Sequence, residues 1–280
     1  MELLTLKRVL AAIDLDGSFR AAVTSARDLA MAAGAELHLL HVAGIDAQRS
    51  SVERELQQIG IPMDDAQLHL SVGDPTRAIN LTADKINADV IVLGPHREMS
   101  DGPRASGLGS TALAVVTNAA VPCLVTARAL RLPLEHVVAA IDLSDTARGT
   151  LRVALSWASA LRARRAAPTL LTALHIMRAP SPEQTAARSR ALEDALAPIH
   201  RAAGSWAGVE LRTEIVPAEN PADGVTRYAE TESAGLVAIG THGLGIDPIG
   251  RTNSVSDNVM RRIVLPILLV PPAMWNRPAS

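Results

Sequence analysis

The apolar run Leu236-Val237-Ala238-Ile239 stops on Gly240-Thr241-His242-Gly243, and a little further on Asn253-Ser254-Val255 opens a stretch with helical patterning. Residues of these types in this order suit a phosphate group. Glycine lets backbone come close to an anion, and the free N–H groups of a helix start favour negative charge. An altered copy stands earlier, as Leu93-Gly94-Pro95-His96-Arg97 followed by Gly109-Ser110-Thr111. There Arg97 brings a guanidinium fork that can pair with a phosphate or plug the space where one would sit. Two carboxylates, Asp14 and Asp142, stand near the ends of apolar runs upstream of these segments. They read either as contacts to a bound group or as caps of the next helix.

Other chemistries fit less well. The only lysines are Lys7 and Lys85, so there is no Gly-Lys-Ser/Thr and no Walker-type phosphate loop. Gly107-x-Gly109-x-x-Ala112 imitates a dinucleotide fingerprint, but no strand directly precedes it and no acid ends the second strand, where Val42-Ala43 stands. His38 and His41 are three apart on an expected strand and therefore face opposite ways, which makes them poor partners for one metal. His41 and His175 read as packed strand-end histidines. No Gly-x-Ser-x-Gly elbow is present and no Ser/His/Asp set assembles, so the chain shows no catalytic constellation.

Composition narrows the class. A 280-residue chain allows one large domain or two ordinary ones, and 48% apolar with 20% charged residues is globular. Aromatics are only 2%, which argues against a stacking platform for single-stranded nucleic acid, and a net charge of -2 shows no basic excess for DNA or membrane. The local cluster Arg162-Ala163-Arg164-Arg165 reads as a solvated helix end. Cys123 is the single cysteine, so no internal disulfide forms, and its apolar setting suggests a buried thiol. The start of the chain is too short in apolar residues for a secretory segment. The stretch from Ile263 to Trp275 is broken by prolines and falls short of the roughly 20 residues of a membrane helix. The expectation is a soluble, cytoplasmic protein.

The elements that must position these residues are written twice. Val9-Leu10-Ala11-Ala12-Ile13-Asp14-Leu15 matches Val137-Val138-Ala139-Ala140-Ile141-Asp142-Leu143 almost letter for letter. Leu39-Leu40-His41-Val42 matches Ala173-Leu174-His175-Ile176, and Gly73-Asp74-Pro75 matches Glu219-Asn220-Pro221. Asp89 to Gly94 matches Gly235 to Gly240, and Val121-Pro122-Cys123-Leu124-Val125 matches Leu265-Pro266-Ile267-Leu268-Leu269. The order is kept while loops drift, as a tandem duplication requires. Strands are expected near 8–13, 35–42, 66–72, 88–93 and 121–126, with helices over Ser18–Ala33, about 46–60, Pro75–Asn87 and Ser110–Ala119. Ser18 reads as an N-cap, and Pro75 and Pro221 as first helical residues. The second copy has longer first and second helices, with breaks at Pro168 and Pro180-Ser181-Pro182. Strands alternating with helices predict right-handed crossovers and a parallel sheet. The domains are then 1–127 and 136–280, joined by residues 127–135.

These motifs together resemble the universal stress protein family in its tandem two-domain form. The resemblance rests on the Ile-Asp strand ends, the Leu-His-Val/Ile second strands, the loop Gly-x2-Gly-x9-Gly-Ser/Thr and the apolar-Pro-x-apolar last strands. It implies an α/β fold of two flavodoxin-like (adenine-nucleotide hydrolase-like) domains, each an open five-stranded parallel sheet with helices on both faces. It also implies a nucleotide-linked stress-response role with ATP or another adenine nucleotide as ligand, with or without Mg. Asp142 and Ile176 would border adenine and ribose, Gly240, His242 and Gly243 would wrap the phosphates, and Ser254 and Val255 would donate from the helix start. The corresponding set in the first copy is Asp14, Val42, Gly94, Arg97, Gly109, Ser110 and Thr111. Asn253 replaces the third glycine of the second loop, while Arg97 and Pro95 alter the first. Two alternatives stay open: a scaffold of the same family that has lost nucleotide, and a slow nucleotide hydrolase. Apolar last strands further predict an intramolecular pseudo-dimer or a homodimer, since bare edges invite aggregation.

Overall fold

The computed structural model describes residues 6–14, 19–43, 49–58, 66–94, 109–142, 145–163, 167–203, 208–241, 255–262 and 264–274. The chain divides into two compact units, Thr5–Arg131 and Leu132–Ser280.

The first unit runs β1 (Arg8–Ile13), α1 (Arg20–Ala33), β2 (Glu36–Ala43), α2 (Arg49–Gln58), β3 (Ala66–Val72), α3 (Pro75–Ile86), β4 (Val90–Leu93), α4 (Ser110–Asn118) and β5 (Cys123–Val125). Its strands pair in parallel in the order β3-β2-β1-β4-β5. The second unit repeats the design with β6 (His136–Ala140), α5 (Asp145–Ala160), β7 (Thr169–Met177), α6 (Pro182–Ala203), β8 (Val209–Pro217), α7 (Pro221–Thr231), β9 (Leu236–Gly240), α8 (Val255–Arg262) and β10 (Ile267–Val270). Its parallel order is β8-β7-β6-β9-β10. Central strands form because their apolar runs are covered on both faces. Val9, Leu10 and Ala11, Val90 to Val92, and Leu236 to Ala238 are all fully buried. With so few aromatics, aliphatic side chains make these cores, and Trp157 on α5 is the largest fully buried side chain.

Local rules set the helix boundaries. Asp74 caps α3 through the Arg77 N–H at 2.7 Å, and Asn220 caps α7 through the Ala222 and Asp223 N–H groups at 2.9 and 3.4 Å. Pro75 and Pro221 take the first turn of each, as expected. Helix α1 departs from expectation by opening at Arg20. Phe19 precedes it with φ −76° and ψ −12° and offers no side-chain cap, so burial of its ring fixes the start; Ser18 lies outside the described residues. The fourth strand opens at Val90, two residues late, because Asp89 uses its carboxylate on the Lys7 and Arg8 N–H groups at 2.7 and 2.8 Å. The fifth is confined to Cys123–Val125 because Pro122 accepts from the Ile91 N–H but has none to give.

The linker 127–135 is anchored: Leu130 is buried in the first unit, its N–H held at 2.8 Å by Ser25 Oγ of α1, and Leu134 is buried in the second. One further expectation changes: Arg162 is not a solvated helix end. It lies folded over Gly208, whose φ of +93° and missing Cβ leave room for the guanidinium. Arg164 and Arg165 lie outside the described residues.

Candidate functional site

In both units the first strand sits between the second and the fourth, so the chain reverses direction of winding between strands one and four. Such a switch point opens a crevice beyond the carboxyl ends of those strands. Register places Ala11 of β1 beside Val92 of β4, and Ala140 of β6 beside Ile239 of β9. Asp14 and Gly94 therefore emerge from neighbouring strands in the first unit. Asp142 and Gly240 do so in the second. Val42 and Ile176 stand near the ends of the next strands out, β2 and β7. Asp14 is exposed and Asp142 half-buried.

A histidine braces each aspartate turn. His41 donates from Nδ1 to the Ile13 carbonyl at 3.1 Å, and His175 does the same to the Ile141 carbonyl at 2.9 Å. A carbonyl only accepts, so that bond places a proton on Nδ1 of each ring. Both are thus packed strand-end histidines, as their sequence setting suggested. Burial pushes the His175 pKa below its ordinary value. Its bond to Ile141 opposes this, Arg188 adds to it, and Asp142 opposes it.

The helix starts differ between units. Gly109 precedes α4 in extended backbone and brings no side chain of its own to cap it, and the first turn holds no acid. In α8, Val255 is exposed and Asp257 stands in the first turn. The series Ser254-Val255-Ser256-Asp257 has capping-box spacing, a signal that competes with phosphate for the same donors. Thr241 gives its N–H to the Val270 carbonyl at 3.0 Å, which removes that amide from any phosphate nest. His242, Gly243, Asn253, Ser254 and Arg97 lie outside the described residues.

A helix start with no acid in its first turn, as in α4, suits an anion, and carboxylates at strand ends suit hydroxyl donors. Among the described residues no group of three His, Cys, Asp or Glu side chains gathers to hold a metal.

The sequence model of the universal stress protein family matches residues 44–127 and 133–271. The chain belongs to the universal stress protein family. Comparison with curated proteins finds no match. Solved structures of similar fold include a protein of unknown function from Pseudomonas aeruginosa PAO1, 17% identical with a TM-score of 0.67, covering 97% of this chain and 95% of its own. A universal stress protein from Archaeoglobus fulgidus is 17% identical with a TM-score of 0.67, covering 94% and 98%. A second Pseudomonas aeruginosa protein, described as a universal stress protein, is 19% identical with a TM-score of 0.66, covering 97% and 95%. At these identities the likeness establishes the flavodoxin-like fold of both units.

Sequence reasoning missed two features. Glu36, His38 and His69 form a relay on β2 and β3: His38 lies 3.3 Å from Glu36 through Nε2 and 3.0 Å from His69 Nε2 through Nδ1. The hint was His38 on one strand and His69 on the next, and that needs the register to become a contact. The second is Gly224 on α7, which lies against Ile176.

Proposed function

We propose that this universal stress protein binds an adenine nucleotide of the ATP type at its switch-point crevices and acts in stress-response regulation by binding, not turnover. One observation carries the reading: in each unit an aspartate and a glycine leave neighbouring parallel strands where such sheets take their ligands. Asp142 and Ile176 would line the second crevice, with Gly240, His242 and Gly243 about the phosphates and Asn253, Ser254 and Val255 at the helix start. When bound, the nucleotide supplies a charge that Mg accompanies from solution.

The second unit is the stronger seat in this proposal. Its loop sequence keeps both glycines, whereas Pro95 and Arg97 alter the first. Two misplaced charge-assisted donors cost about 1–3 kcal/mol each. Asp257 in the first turn of α8 offsets part of that advantage, and the acid-free first turn of α4 favours the first unit. The glycine pair outweighs both. The apolar last strands β5 and β10 further suggest an intramolecular pseudo-dimer or a homodimer, which light scattering of the purified chain would distinguish.

Denaturing the purified protein and chromatographing the supernatant tests the ligand. Released adenine nucleotide, or saturable binding of added ATP, supports the reading. Absence of both favours the scaffold alternative, to which Pro95, Arg97 and Asn253 point.

A further inference from the structure

Gly224 has no positive φ to account for it, yet it has no room for a side chain. A Cβ there would stand 2.9 Å from Cδ1 and Cγ2 of Ile176 and 2.9 Å from Cβ of Ala218. Both branches of Ile176 therefore lie against the first turns of α7, in space that any other residue at 224 would fill. The first unit solves the same problem with other letters. Ala78 corresponds to Gly224, since each gives its N–H to its helix's N-cap carbonyl at 3.0 Å, from Asp74 and from Asn220. Val42 corresponds to Ile176 on the matching strand. Ile with Gly contains the same carbons as Val with Ala: one methylene has moved from helix to strand.

We propose that Gly224 is a positioning residue of the second crevice, drawing Ile176 onto α7 so that its longer side chain does not narrow the ligand wall. Ile176 follows His175, whose bond to Ile141 braces the Asp142 turn. A methyl at 224 must turn Ile176 or displace the strand end, and either reaches that turn. The inference rests on the nucleotide reading for its ligand but not for its geometry.

The test compares the full chain with Gly224→Ala, Ile176→Val, Gly224→Ala/Ile176→Val and Gly224→Ala/Ala218→Gly, using ATP calorimetry and amide NMR. Gly224→Ala should weaken ATP binding about tenfold, the size expected of overpacking by one methyl. Adding Ile176→Val should restore most of the affinity, so that the double variant binds as tightly as Ile176→Val alone. Unchanged affinity in Gly224→Ala, or rescue by Ala218→Gly in place of Ile176→Val, would overturn the proposal. If the parent chain binds no ATP, the functional reading fails and the amides decide the geometry. Gly224→Ala must then shift Ile141 and Asp142, with the shift reversed by Ile176→Val; unmoved amides would overturn the inference.

Discussion

Among the described residues, folding shifts the titration of His69, His136 and His175. Burial pushes His69 below its ordinary pKa, and His38, Lys85 and Arg49 press in the same direction. His136 is also lowered by burial, although its bond to the Glu232 carbonyl at 3.1 Å opposes this. Because folding lowers these values, the unfolded chain takes up protons first as pH falls below the ordinary value of 6.5, and stability declines from there. Cys123 offers a probe of the first unit, since burial pushes its thiol up to about 12 and hides it from reagents. Following thiol exposure with dithiodipyridine in urea between pH 7.5 and 5.5 should show a falling midpoint. His69→Gln should flatten that fall. An unchanged slope would mean that His69 does not contribute to the fall. At this scale the aspartates and glycines of the crevices were legible, because strand ends follow from apolar runs. The relay and Gly224 were not, since each depends on which residues register and packing bring together.

At the scale of elements, caps decide where helices stop. Helix α3 ends on Asn87 at φ 49°, and the equivalent α7 is followed by Ser233 at φ 54°. The same bonds close both turns: Ala88 N–H to the Ala83 carbonyl and Ala234 N–H to the Ala229 carbonyl, each at 2.8 Å. Asn tolerates left-handed backbone; Ser does so with strain. Ser233→Gly should therefore stabilise the second unit by about 0.5–1 kcal/mol. The urea midpoint by tryptophan fluorescence, which reports the second unit because Trp157, Trp206 and Trp275 all belong to it, should rise without a change in slope, and a fall would show that the serine side chain has a role of its own. Most elements were readable from apolar runs and prolines. The start of α1 was not, because a buried Phe19 does there what a polar cap usually does. Pro198 inside α6 likewise breaks no helix, although that position removes one backbone donor.

At the scale of the whole molecule, one βαβ design serves twice, and the difference between copies matters more than the likeness. Parallel order and strand-end chemistry agree in both units. The departures gather at the loops after strand four and at helix two, with 10 residues in α2 against 22 in α6. Duplication was plain in the letters, since buried strands tolerate little drift while loops and helix lengths vary freely. What the letters could not reveal is which copy keeps its donors aligned, a matter of backbone placement to within fractions of an ångström. The central claim, a nucleotide seat strongest in the second unit, is tested most directly by titrating ATP against the parent chain, Gly243→Val and Gly94→Val. The account predicts saturable binding in the parent that Gly243→Val abolishes and Gly94→Val largely spares. Equal loss from both changes, loss from Gly94→Val alone, or no saturable binding in the parent would contradict it.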